Sequence, residues 1–228
     1  MGIPEQVAQT RSRVALIVVT LGLVAVAAAM LWEHLSLPSG PSETTRVREP
    51  SAVPSAGLDA LFAALGIRRP AEPSEGPDFT LMTLEGRSAR LREFRGKLVL
   101  LNFWATWCAP CLHEMPSMER LYQTFKRADF ALLAVSMDRQ GEEVARPFAD
   151  SLKLTFPVLL DGTSEVARRY GVRGLPTTYL IDPDGRLIGA AIGARDWSGT
   201  EAKALIAGLL RQAPPTADHP AQALTEQP

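Results

Sequence analysis

Phe103-Trp104-Ala105-Thr106-Trp107-Cys108-Ala109-Pro110-Cys111 is the stretch on which the reading of this chain turns. It holds the only 2 cysteines among 228 residues, with two residues between them and two tryptophans close ahead. Upstream, residues 97–103 (KLVLLNF) form an apolar run of strand length; downstream, residues 112–126 have helical character. The pair therefore sits where a buried strand hands over to a helix. Unpaired N–H groups and the macrodipole at a helix start favour a thiolate, the nucleophilic form of cysteine. Attack on a disulfide needs one accessible thiolate and a second thiol close enough to resolve the mixed disulfide. We assign Cys108, at the helix cap and facing solvent, as nucleophile, and Cys111, one turn in and more covered, as resolving thiol.

The bulk numbers exclude several other classes. A net charge of -1 offers no field for nucleic acid. A Cys-x-x-Cys pair closes too small a loop to staple a fold. The 3 histidines (His34, His113, His219) are scattered, and a zinc site needs four ligands or three plus water, so we expect neither a resident metal nor any other cofactor.

The chain divides by composition. Residues 1–13 are polar, with Arg11 and Arg13 just ahead of an uncharged run over 14–32. Such a run spans about 28 Å as a helix, enough to cross a bilayer core. Positive charge before it and Glu33 after it give a cytoplasmic N-terminus. We read it as a single-pass signal-anchor in the cytoplasmic membrane, with the rest of the chain on the periplasmic, extracytoplasmic side. Small residues at 25–29 leave a cleaved signal peptide as the alternative. Residues 33–77 are rich in proline and serine and read as a linker, interrupted near 55–67 by Leu58, Leu61, Phe62 and Leu65 at helical spacing. That short helix could dock on the globular part, lie on the membrane or bind a partner.

The compact domain is expected over 78–212. Its strands fall at 78–84, 87–91, 98–104, 130–137, 156–160, 177–181 and 187–192. Its helices fall at 108–126, 142–152, 164–170 and from Trp197 or Ser198 to about 211, with Ser198 a candidate N-cap. Pro116 should kink the first helix, and Pro147 should bend or break the second. Residues 213–228 read as a disordered tail. The order is α/β.

WCAPC behind a strand, with Gly174-Leu175-Pro176-Thr177-Thr178 before a later one, resembles the thioredoxin superfamily. Pro77-Asp78-Phe79, Asn102 to Cys108 and Leu180-Ile181-Asp182-Pro183-Asp184-Gly185 are similar to its membrane-tethered TlpA/ResA/CcmG-like group. The resemblance implies a thioredoxin-like fold, a central mixed β-sheet flanked by helices. It implies a cis bond at Pro176, so that the backbone of Leu175 is open to strand-like pairing with a substrate. Trp107, Pro110, Leu175, Pro176 and Thr177 then form the substrate-binding surface. It also implies a glutamate beside the cysteines at Glu114, a candidate proton relay; spacing alone reads Glu114 as an exposed first-turn acid.

Motif, anchor and resemblance together point to a membrane-tethered thiol–disulfide oxidoreductase. Ala109-Pro110 offers no charge to stabilise a thiolate and a nearby glutamate opposes one, so electron flow is read as reducing. The resemblance implies a CcdA- or DsbD-type membrane donor and oxidised protein thiols as clients, with apocytochrome c or a maturation partner first, in cytochrome c maturation. The alternative is copper-site (cytochrome oxidase) assembly, either as reductant or as a Cu(I)-binding chaperone using Cys108 and Cys111. A peroxidase is disfavoured, because its cysteine would have no partner three residues on.

Overall fold

The computed structural model describes residues 55–212. The expected anchor at 14–32 and tail at 213–228 lie outside the described residues. Among those described, no helix is long and apolar enough to cross a membrane. The chain runs through α1 (Ser55–Ala64), β1 (Ser74–Glu75), β2 (Thr80–Thr83), β3 (Ser88–Arg90), a 3-10 turn (Leu91–Phe94) and β4 (Leu98–Trp104). There follow α2 (Ala109–Phe125), β5 (Phe130–Ser136), α3 (Glu142–Ser151), β6 (Val158–Leu160), α4 (Glu165–Arg169), β7 (Thr177–Ile181), β8 (Arg186–Ile192) and α5 (Thr200–Gln212).

The eight strands form one mixed sheet in the order β1-β8-β7-β4-β5-β6-β2-β3. β4, β5 and β6 run parallel, and the remaining pairs are antiparallel. β4 and β5 are buried at every position, which is why LVLLNFW and FALLAVS read as continuous apolar runs rather than alternating ones. Alternation still sorts their side chains by face. Leu98, Leu100 and Trp104 join Met115, Met118, Leu205 and Ile206 of α2 and α5 in one core. Val99, Leu101 and Phe103 join Val166 and Tyr170 in the other. Asn102 shares the parity of Leu100 and Trp104, so it looks toward α2.

Several sequence expectations are corrected. α3 runs unbroken through Pro147; the proline is exposed, so the carbonyl that loses its helical donor is left to water rather than buried. Ser198 does not cap α5, which begins at Thr200; its hydroxyl donates instead to Asp196 Oδ1 at 2.6 Å. Pro116, where a kink is expected, lies inside the continuous helix α2. β1 falls within the stretch read as linker, whereas α1 is the short helix expected near 55–67, and of its three readings it takes docking, with Leu58 and Phe62 packed into the α2–α5 core.

Candidate active site at the start of α2

β4 ends at Trp104 and the chain turns through Ala105-Thr106-Trp107 into α2. The turn is fastened from just beyond β5: the Asp138 carboxylate accepts from Thr106 N–H at 3.0 Å and from the Thr106 hydroxyl at 2.7 Å. Ser136 Oγ donates to the same carboxylate at 2.9 Å. Asp138 is 1% exposed, so this is a buried clamp and not a surface contact.

Cys108 is the N-cap of α2, and its sulfur accepts from the backbone N–H of Cys111 at 3.3 Å. Pro110 stands in the first turn, where its missing N–H leaves no bond unmade. Cys108 and Cys111 are joined in a disulfide. In this oxidised form Cys108 is 5% exposed and Cys111 fully buried. The expectation of a solvent-facing Cys108 is thus corrected: the residue is buried and is reached only from a groove.

Trp107, Cys108, Pro110, Met137, Arg173 and Leu175 all line that groove. Trp107 is 71% exposed. The Leu175–Pro176 peptide is cis. Pro176 C=O accepts from Gly193 N–H at 2.8 Å, and the Thr177 hydroxyl donates to Gly174 C=O at 2.7 Å. Pro176 and Thr177 are buried behind the groove wall. Among the described residues, the backbone of Leu175 makes no hydrogen bond.

Glu114, one turn beyond Cys111, is 2% exposed and not a surface acid. Its Oε1 accepts from Asn102 Nδ2 at 2.9 Å. Its Oε2 accepts from the indole N–H of Trp197 at 3.2 Å and the backbone N–H of Arg195 at 3.3 Å. Burial lifts the carboxyl from 4.5 to about 7, with the hydrogen bonds from Asn102, Trp197 and Arg195 opposing it. A second pocket, lined by His113, Glu114, Ser117, Arg120, Arg195 and Asp196, shares no residue with the groove.

Asn102, Arg195 and Trp197 were not among the candidate site residues read from the sequence. Asn102 carried a signal, since a lone amide in a buried strand requires a partner. Arg195 and Trp197 carried none: they reach Glu114 from 81 and 83 residues away. Among the described residues no group of three or more His, Cys, Asp or Glu side chains is placed to hold a metal.

Residues 74–190 match the AhpC/TSA family. Over 114 residues the chain is 46% identical to the thiol-disulfide oxidoreductase ResA of Geobacillus thermodenitrificans, covering 50% of this chain and 65% of that one. Over 117 residues it is 45% identical to the thioredoxin-like protein YneN of Bacillus subtilis, covering 50% and 67%. A crystal structure from Chlorobium tepidum, described as a thiol:disulfide interchange protein DsbE, superposes with a TM-score of 0.57 at 31% identity, over 61% of this chain and 97% of that one. The thioredoxin domain of a thiol-disulfide oxidoreductase of Bacteroides vulgatus gives 0.55 at 28% identity, over 62% and 99%.

Proposed function

The chain belongs to the AhpC/TSA family, and on that footing we propose that it is a thiol–disulfide oxidoreductase that reduces disulfides of client proteins. One observation carries this reading. The Cys108–Cys111 disulfide at the head of α2 lines the same groove as Leu175, whose backbone is unpaired and whose bond to Pro176 is cis. A client strand laid along Leu175 brings its own disulfide up to Cys108, while Trp107 supplies an apolar wall.

In the reduced protein the Cys108 thiolate attacks one sulfur of the client disulfide. The client's other sulfur leaves as a thiolate and takes a proton. Cys111 then loses its proton and attacks Cys108 Sγ. That step releases the second client thiol and re-forms the Cys108–Cys111 disulfide. Two electrons and two protons pass to the client. Glu114, one turn from Cys111 with a carboxyl titrating near 7, is the group we assign to proton exchange with the buried thiol. An ionised Glu114 opposes a thiolate nearby, and Ala109-Pro110 adds no cation to favour one. Both weigh toward a reductant.

We place the chain on the cytoplasmic membrane through residues 14–32, with the dithiol on the extracytoplasmic side. There its electrons come from a CcdA- or DsbD-type membrane donor and its clients are apocytochrome c or a maturation partner. Copper-site assembly remains the competing assignment. As a Cu(I) carrier it would rest on the two thiolates alone.

A redox titration of the purified protein against a dithiol buffer tests the reading. We expect a single two-electron couple that disappears in the Cys108→Ser variant, with a midpoint well below the roughly -120 mV of the oxidant DsbA. A midpoint in that oxidising range overturns the reductant assignment.

A further inference from the structure

α1 lies N-terminal to the family match at 74–190, yet the fold makes room for it at two glycines. A Cβ on Gly208 of α5 would come within 2.6 Å of Leu58 Cδ2. One on Gly189 of β8 would come within 2.9 Å of both Phe62 Cε1 and Ile67 Cγ2. A glycine inside a helix costs about 1 kcal/mol relative to alanine, and at Gly208 the close approach of Leu58 accounts for it. Beyond α1, Arg68 and Ala190 exchange backbone hydrogen bonds at 2.8 and 2.9 Å.

From this seat α1 reaches Glu114. Arg195 Nη1 donates to the carbonyl of Leu65, just past the end of α1, at 2.5 Å. Its Nη2 donates to the carbonyls of Ile192 and Gly193 at 3.1 and 2.9 Å. The side chain thus ties the end of β8 to α1 and turns its backbone N–H onto Glu114 Oε2. The guanidinium stacks over Trp197, its carbon 5.6 Å from the ring centroid, and the Trp197 indole donates to that same oxygen. Trp197 N–H is held in turn by Ser117 Oγ of α2 at 3.0 Å. Leu65, Arg195 and Trp197 all lie outside the span matched to the family, while Glu114 lies within it.

We infer that α1 is a positioning element of the redox site: docked on α5 and β8, it holds Arg195 through Leu65, and Arg195 holds the loop that grips Glu114. This inference rests on the oxidoreductase reading. Whatever pulls on or binds α1 is then felt at the carboxyl one turn from Cys111. Groups bonded to that carboxyl are Asn102 from β4 and Arg195 and Trp197 from the loop, while Ser117 of α2 donates to the Glu114 backbone carbonyl at 2.7 Å. His113, Arg120 and Asp196 rim the adjoining pocket. The hydrogen bonds from Asn102, Trp197 and the Arg195 N–H, and the Arg195 charge, all favour the ionised carboxylate, so loosening the loop that carries Arg195 and Trp197 raises its proton affinity.

The test is the pH profile of Cys108 alkylation by iodoacetamide in the reduced full-length chain, run for wild type, Arg195→Gln, Gly208→Ala and, as a control on α3, Arg146→Gln. The Glu114 inflection is identified as the one that Glu114→Gln abolishes. Arg195→Gln is expected to move it upward by about half a pH unit or more, roughly a threefold change in proton affinity. Gly208→Ala, which wedges α1 off α5, is expected to move it the same way, while Arg146→Gln leaves it in place. By linkage, amide exchange over residues 58–65 should also differ between oxidised and reduced wild type. A wild-type inflection on which both Arg195→Gln and Gly208→Ala superimpose, with identical exchange in the two redox states, overturns the inference and leaves the oxidoreductase reading standing. A wild type that exchanges no disulfide at all overturns both.

Discussion

Asn102 donates from Nδ2 to Glu114 Oε1 at 2.9 Å, with both side chains buried against the start of α2. The same nitrogen lies 2.9 Å from Thr178 Oγ1 on β7, its partner residue across the β4–β7 pair. One amide therefore ties the central strand to its neighbour and to the helix carrying the dithiol. Asn102→Ala strips a donor from Glu114 and leaves a buried carboxyl oxygen unmatched, at a cost of about 1–3 kcal/mol. Urea unfolding of the oxidised protein should show that loss. An unfolding midpoint equal to wild type would mean that the tie carries no stability.

Glu114 makes stability depend on pH in a stated direction. Its carboxyl holds a proton up to about 7 in the folded chain against 4.5 as the ordinary value, mainly through burial. The folded state therefore binds more protons between these pH values, and stability falls as pH rises from about 4.5 to about 7. Below that window the contribution is fully present; above it the loss is complete, on the order of 3 kcal/mol. Glu114→Gln should flatten this segment of the stability curve. Parallel curves for variant and wild type from pH 4.5 to 8 would contradict it.

Asp138 holds the turn that presents Cys108, through bonds to the Thr106 N–H and hydroxyl and to Ser136. Replacing it by alanine orphans these donors in a buried place. Asp138→Ala should cost on the order of 3 kcal/mol in equilibrium unfolding and slow alkylation of reduced Cys108, because the turn no longer fixes the cap. Unchanged alkylation with reduced stability would limit Asp138 to a structural part.

Trp107 behaves oppositely. At 71% exposed it contributes little to the fold, and Trp107→Ala should change stability by no more than about 0.5 kcal/mol. Its loss should still lower the second-order rate of client disulfide reduction several-fold while the potential of the dithiol stays put. A fall in stability without a change in that rate would place Trp107 in the core rather than at the groove.

How much the sequence reveals depends on how local each signal is. β4 appears at its observed bounds because LVLLNFW is apolar throughout and ends in a motif of fixed spacing. The cis bond before Pro176 came with the resemblance, since a Leu-Pro dipeptide alone says only that the chain is extended there. The surroundings of Glu114 were not legible. Helical spacing placed it on the Cys111 side, but whether it was buried depended on a loop some 81 residues away. α1 carried a clear apolar pattern without an address, because its seat is two glycines whose meaning is visible only when Leu58 and Phe62 lie against them. Pro147 misled because its effect depends on whether the freed carbonyl meets water or core.

The proposed chemistry stands on two steps: Cys108 attacks a client disulfide, and Cys111 releases it. In a Cys111→Ser chain the first step proceeds and the second cannot, so a client should remain bound through Cys108. Mass spectrometry of the variant, incubated with an oxidised Cys-x-x-Cys peptide and separated without reductant, reads this directly. We expect a one-to-one mixed disulfide at Cys108 that dithiothreitol dissolves and that Cys108→Ser never forms. Free variant alone, or an adduct on Cys111 in the Cys108→Ser chain with none on Cys108 in Cys111→Ser, would reverse or remove the assigned roles.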